Sequence, residues 1–232
     1  MSKGYLIGIA AGLAIIGGAV TWRSGEASPS SSTPQLPVSV ALPAQNSKVP
    51  VSAAIRLNVA DTGNEVRYRI REQLVRLPRP NDAIGKTAQV SGGISISEDG
   101  RIVAGESKFV VNAAGLTSDS DRRDNFVRRR VLETEQFPTV EFAALSVRGL
   151  PSPLPKSGTH TFELIGNLTV RGVTRPTRWQ VTATPAGQTV KGSAVTAFTF
   201  TDFKIDQPRV PVVLSVADTI RLEYDFNLTG TR

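Results

Sequence analysis

The sequence predicts an all-β antiparallel fold, a barrel or a sandwich of about eight strands, with one short helix near residues 121–132. Three observations carry that prediction. From residue 51 to the C-terminus, apolar residues recur with a period of two, the mark of strands with one dry and one wet face. Turn signals rich in Gly, Pro, Asp and Asn separate these runs at short intervals. A single charge-dense stretch, residues 116–142 (LTSDSDRRDNFVRRRVLETEQFPTVEF), breaks the alternation.

Taken in order, residues 4–22 (GYLIGIAAGLAIIGGAVTW) carry no charge and lie between Lys3 and Arg23. As a helix they span roughly 28 Å at about 1.5 Å per residue, close to a bilayer core. Tyr5 and Trp22 stand where interfacial aromatics belong. Residues 1–23 therefore read as a signal peptide or a transmembrane signal-anchor, and Gly25-Glu26-Ala27 offers a small-x-small cleavage pattern. Either reading places the remainder outside the cytoplasm, periplasmic or extracellular, secreted or tethered to a membrane surface by residues 4–22. Gly8 and Gly12 form a GxxxG pair, which leaves a homodimer open. Residues 24–50 are rich in Ser and Pro and nearly free of charge, a flexible linker that cannot bury enough apolar surface to order itself.

Residues 51–232 form the predicted β domain. Ile55, Leu57 and Val59 alternate with Arg56 and Asn58; after a turn at 61–64, Val66, Tyr68 and Ile70 alternate with arginines. Residues 77–82 (LPRPND) read as a loop, because two prolines exclude a central strand. Residues 87–97 read as a strand, 98–100 as a tight turn and 101–114 as a long return strand. In 121–132, Phe126, Val127, Val131 and Leu132 recur at helical spacing; Asp119 or Ser120 caps the start and Pro138 follows the end. Strands follow over 139–147, 161–170, 178–184 and 189–200, and the last alternates Ile220, Leu222, Tyr224, Phe226 and Leu228 with polar residues.

Composition narrows the function. There is no cysteine, which excludes disulfides, thiolate metal sites and a thioacyl anchor. The net charge of +7 attracts anionic surfaces non-specifically, and membrane is the expected partner rather than nucleic acid. His160 is the only histidine and reads as the start of a strand. Asp119, Asp121 and Asp124 resemble the opening of a calcium loop, but the central Gly is missing and Arg122 and Arg123 intrude. No nucleophile–base pair, metal cluster or phosphate loop is visible, so no catalytic residue, metal or catalytic cofactor is expected. Arg128, Arg129 and Arg130 form a basic run, read either as a solvated face balanced by Glu133 and Glu135 or as a contact for anionic headgroups.

Several motifs, in order, carry a family resemblance. Ser118-Asp119, Arg123-Asp124-Asn125-Phe126, Leu132, Phe137-Pro138 and Phe142 resemble the signature of the YceI-like family. Ala83-Ile84-Gly85-Lys86-Thr87 with Val90-Ser91-Gly92 is similar to the family's A-V-G-x-T-x-x-V-x-G. Gly166-Asn167-Leu168-Thr169-Val170-Arg171-Gly172-Val173-Thr174-Arg175-Pro176 resembles its G-x-L-T-I-x-G-V-T-R-P, and Thr201-Asp202-Phe203 its S-D-F. The resemblance implies a lipocalin-like antiparallel barrel that binds a long-chain lipid of polyisoprenoid type. The chain departs from the family at Gly63-Asn64-Glu65-Val66, where the family carries a His-Ser pair, and at Lys204, where it has Gly.

The inward set inferred from alternation is Ile55, Leu57, Tyr68, Ile70, Phe142, Phe162, Leu164, Phe198, Phe200, Leu222 and Phe226. It either fills a core or lines a tunnel, since about eight strands enclose an interior of just that size. The resemblance implies a ligand-binding interior, with Arg123, Asp124 and Phe126 on a portal helix. The expected function is then non-enzymatic binding, transport or sequestration of an amphiphilic isoprenoid-type lipid. The rival is a stress-response or interaction module with a filled barrel and a protein-binding surface.

Overall fold

Period-two alternation becomes ten antiparallel strands, eight of which close a ring. The computed structural model describes residues 54–231. The expected signal or anchor segment (1–23) and the linker (24–50) lie outside the described residues, and among these no helix is long and apolar enough to cross a membrane. The strands are β1 (Ala54–Val59), β2 (Glu65–Leu74), β3 (Asn81–Thr87), β4 (Val90–Ser97), β5 (Lys108–Asn112), β6 (Thr139–Arg148), β7 (His160–Val170), β8 (Val173–Ala186), β9 (Thr189–Thr199) and β10 (Val213–Thr231). The ring runs β1-β4-β5-β6-β7-β8-β9-β10 and closes where β10 pairs with β1. Closure removes the unpaired edges of the ring itself, while β3, paired with β2 and bridged to Thr117 through Lys86, remains at the edge of the sheet.

The difference between eight and ten has a simple cause. β10 pairs with β1 through residues 228–231 and with β2 through residues 213–225. β1 and β2 are thus two halves of one line of chain, broken by the jog at 60–64. β3 and β4 pair with these halves in turn and form a second broken line. β3 was not foreseen, because NDAIGKT has poor strand propensity; pairing with β2 overrides it. The expected long strand over 101–114 shrinks to β5, since residues 101–107 form a loop carrying only the Ile96–Ile102 bridge.

Between β5 and β6 the chain forms the short helix α1 (Asp121–Phe126), prolonged by a wider helical turn over Val127–Val131. Ser120 is the N-cap and accepts a hydrogen bond from the Arg123 amide. The hairpin β7–β8 turns on Arg171 and Gly172, both with positive φ, as a two-residue turn of the right twist requires. The Arg171 side chain forms an ion pair with Glu133 at 2.7 Å. Gly85, in the A-I-G-K-T motif, has no room for a side chain: a Cβ there would meet the Tyr68 ring at 2.2 Å.

Outward residues of β2 and β10 form a charged ladder. Glu223 meets Arg67 at 3.1 Å, Arg69 at 3.3 Å and Arg221 at 2.8 Å. Burial works against its charge, but hydrogen bonds from Arg69, Arg67 and Arg221 outweigh that and hold its carboxyl below the usual glutamate range.

Candidate functional site

Inward-facing residues of a ring this size leave space only if their volumes fall short of the interior. They do. The barrel holds a cavity of about 910 Å³, at the upper end of the roughly 300–1,000 Å³ typical of ligand sites. Ile55, Leu57, Ile94, Phe109, Phe142, Phe162, Leu164, Trp179, Val181, Leu222 and Phe226 line it. Ala183, Ala194 and Gly187 on β8, β9 and their turn add small surfaces where larger residues would fill the space. Leu57, Phe109, Val147, Phe162 and Leu222 point inward yet are only half-buried, because they face the void.

The mouth lies where β4 turns to β5, β6 to β7 and β8 to β9. The exposed lining residues, among them Glu98, Lys156, Gly187 and Gln188, all stand at this end. Leu150, Leu154 and Pro155 of the 6–7 loop form an apolar lip beside them. His160, the first residue of β7, lines the mouth and its Nε2 lies 2.9 Å from the Ser157 carbonyl, tying the loop to the strand. The charged side chains thus gather at the rim, and the depth is apolar apart from the Tyr224 phenol and the Trp179 ring. An amphiphile would find water-exposed partners for its head and a dry channel for its chain.

The other end is shut. Phe200 and Phe203, around the turn after β9, are fully buried, and Leu116 and Ile205 are buried with them. On β2, Glu72 points inward and takes an ion pair from Arg123 Nη2 at 2.9 Å, while the same guanidinium pairs with Asp119 on the outside. Burial opposes the charge on Arg123, but Glu72 and Asp119 more than offset it and raise its pKa. Asp124, buried, accepts from the Ser118 hydroxyl at 2.6 Å. The Ser-Asp and Arg-Asp motifs therefore stitch the helical connection onto the end of the barrel.

Two half-buried phenols differ in their surroundings. Tyr224 lines the cavity and donates its hydroxyl to Asn64 Oδ1 at 2.9 Å; burial pushes its pKa well up. Asn64 also accepts from the Asn227 amide and donates to the Ala60 carbonyl, locking the jog between β1 and β2 onto β10. This is what stands where the family carries its His-Ser pair. Tyr68 lies beyond the cavity floor, and burial pushes its pKa up to about 12.

Of the residues singled out from sequence, Ile55, Leu57, Phe142, Phe162, Leu164, Leu222 and Phe226 come together on the cavity wall. Tyr68, Ile70, Phe198 and Phe200 belong to the packed core toward the closed end. Arg123, Asp124 and Phe126 sit at that closed end too, and no residue of 113–137 lines the cavity. Sequence reasoning passed over Phe109, Trp179, Tyr224 and the lip residues Leu150 and Leu154. The first three were legible as inward positions of alternating strands, whereas the lip looked like a Pro-rich loop and nothing more. Among the described residues no group of His, Cys, Asp and Glu converges as a metal site.

A family model for the YceI-like domain matches residues 59–228. Among solved structures, the chain is similar to a polyisoprenoid binding domain from Saccharophagus degradans implicated in plant cell wall breakdown, at 11% identity and TM-score 0.57, covering 78% of this chain and 99% of that one. It is similar to Burkholderia cenocepacia BcnA at 13% identity and TM-score 0.52, covering 71% and 95%. It is also similar to the Campylobacter jejuni YCEI protein at 15% identity and TM-score 0.53, covering 69% and 91%. At such identities the likeness is one of fold. No curated protein matches the chain.

Proposed function

The chain belongs to the YceI-like domain family, and on that premise we propose that it binds, carries or sequesters a long-chain isoprenoid-type lipid without chemically transforming it. The observation that carries the reading is the 910 Å³, predominantly apolar cavity with its charged groups confined to one mouth. Each methylene taken from water into such a space gains roughly 0.8 kcal/mol, so a long chain outweighs the cost of ordering it. The Saccharophagus degradans domain is described as polyisoprenoid-binding, which supports the same ligand class here. Glu98, Lys156, His160 and Gln188 are the residues positioned to meet the headgroup.

The setting is part of the proposal. Residues 4–22 have the length and composition to export or anchor the chain, so the lipid is handled outside the cytoplasm near a membrane. The competing reading, a filled barrel acting through its surface, finds no support in a hollow interior.

Native mass spectrometry with organic extraction of residues 48–232, exported from a bacterial host, tests the reading. A discrete extra mass of several hundred daltons, released by solvent and identified as an isoprenoid chain, is the expected result. Apoprotein that takes up neither quinone nor polyprenol would overturn it.

A further inference from the structure

Beyond Glu72, β2 and β10 leave the wall of the ring and continue as a two-stranded ribbon, pairing Gln73 with Ser215 and Leu74 with Val213. Of the six large apolar side chains exposed among the described residues, four stand on the tip of this ribbon: Val75 at 55%, Leu77 at 41%, Val212 at 49% and Leu214 at 67%. The Val75 amide donates to the Val212 carbonyl at 3.1 Å, so the two sides form one surface. Arg76, Arg79 and Arg209 are exposed among them, and among the described residues none has an ion-pair partner. Of the adjacent carboxylates, Asp82 pairs with Arg69 and Arg71, Glu72 pairs with Arg123, Asp218 lies ring-ward of Val216, and Asp206 is exposed beside Gln207, which donates to the Val216 carbonyl. Three arginines against that one carboxylate leave the tip cationic.

Contiguous aliphatic exposure collared by unpaired cations is costly in water and needs an occupant. We propose that this ribbon tip docks on an anionic lipid bilayer. The aliphatic side chains enter the acyl boundary, to a depth of about 5–10 Å, and the arginines meet headgroup phosphates. The backbone suits that environment, where every unpaired donor is costly. Pro78, Pro80 and Pro211 carry no N–H. The amides of Val75, Leu77 and Val213 are satisfied inside the ribbon. A second copy is a poor occupant, since a two-fold contact would set the three arginines against their own counterparts. A protein partner fits less well than lipid: the tip offers aliphatic and arginine side chains but no aromatic residue of the kind that anchors protein interfaces. The inference is independent of the cavity's ligand. The tip stands at the N-terminal end of β10 and the mouth at its C-terminal end, so docking leaves the mouth free.

The absence of cysteine makes a clean test on the full chain. Leu214→Cys, labelled with an environment-sensitive nitrobenzoxadiazole dye, reports the tip, and Leu154→Cys reports the mouth. With vesicles of equal parts phosphatidylglycerol and phosphatidylcholine, the tip label is expected to brighten several-fold and shift to the blue. With phosphatidylcholine alone it is expected to change little. Replacing Arg76, Arg79 and Arg209 together by Gln should weaken the response roughly 100-fold at low salt. Reading the label at the tip separates docking there from attachment by residues 4–22. The proposal is overturned if only the mouth label responds, or if the tip response needs no vesicles and rises with protein concentration. It is also overturned if vesicles do nothing while a protease-sensitive component of a host extract shifts the tip label.

Discussion

The mouth half and the closed half of this barrel are built from the same alternating strands, yet one encloses a void and the other is solid. At the mouth the inward positions of β8 and β9 include Ala183 and Ala194, and nothing folds in from the loops to fill the missing volume. At the closed end two connections fold inward, the 113–132 segment between β5 and β6 and the turn that buries Phe200 and Phe203. Alternation determines which residues face in. Whether those residues meet one another or face a cavity depends on what the connections bring.

The largest test of that contrast is one substitution made at both ends. Phe203→Ala, at a fully buried site, should cost about 3–5 kcal/mol of unfolding free energy. Phe162→Ala, on the cavity wall, should cost less than about half as much, because its ring already faces open space. Urea unfolding reads both, and equal losses would erase the distinction between the halves.

Next in size is the polar stitching. Glu72→Ala leaves Arg123, whose side chain is 19% exposed, with Asp119 as its remaining ion-pair partner, and should cost about 1.5–3 kcal/mol. Replacing the pair together, Glu72→Leu with Arg123→Met, should restore most of that loss in the same assay. A pair of surface strength would lose only a few tenths when broken.

Filling the void acts on binding more than on folding. Ala183→Phe points a ring into the cavity and should change stability by less than about 1.5 kcal/mol. Displacing two methylene groups of a bound chain forfeits roughly 1.6 kcal/mol, about tenfold in affinity for the longest lipids. Titration with a chain-length series separates this from general damage, since short chains should bind as before.

The smallest effect is spectroscopic. Tyr68, raised to about 12, and Tyr224, raised further, should both stay protonated at pH 10 in the folded protein. Their folded pKa values lie above the unfolded value of 10.0. The stability they contribute is therefore fully present below pH 10 and lost as pH rises through 12 and beyond. Ultraviolet difference absorbance follows the phenols, and a bound lipid should perturb Tyr224, on the cavity wall, while leaving Tyr68 unchanged.

Much of the fold was legible in advance. The antiparallel all-β fold, the short helix with a cap at Asp119 or Ser120 and the inward faces of β1, β7 and β10 followed from periodicity and cap chemistry, both of which are local. The barrel rather than a sandwich followed from the family resemblance. β3 was not legible, because its residues become a strand only through pairing with β2. The apolar lip was hidden for a similar reason, since Leu150 and Leu154 gain meaning only when the barrel's mouth lies beneath them.

The site divides along the same line. Sequence alone determined the apolar inner face, the polar and charged outer positions of the strands and the family signature, because each depends on residue type and spacing. Tertiary structure alone decided that the barrel is hollow at one end and plugged at the other, and that Arg123 and Asp124 seal the closed end while Ile55 and Phe162 line the cavity. Cavity volume is a small difference between the space the ring encloses and the side chains that enter it, and only the folded connections determine that difference.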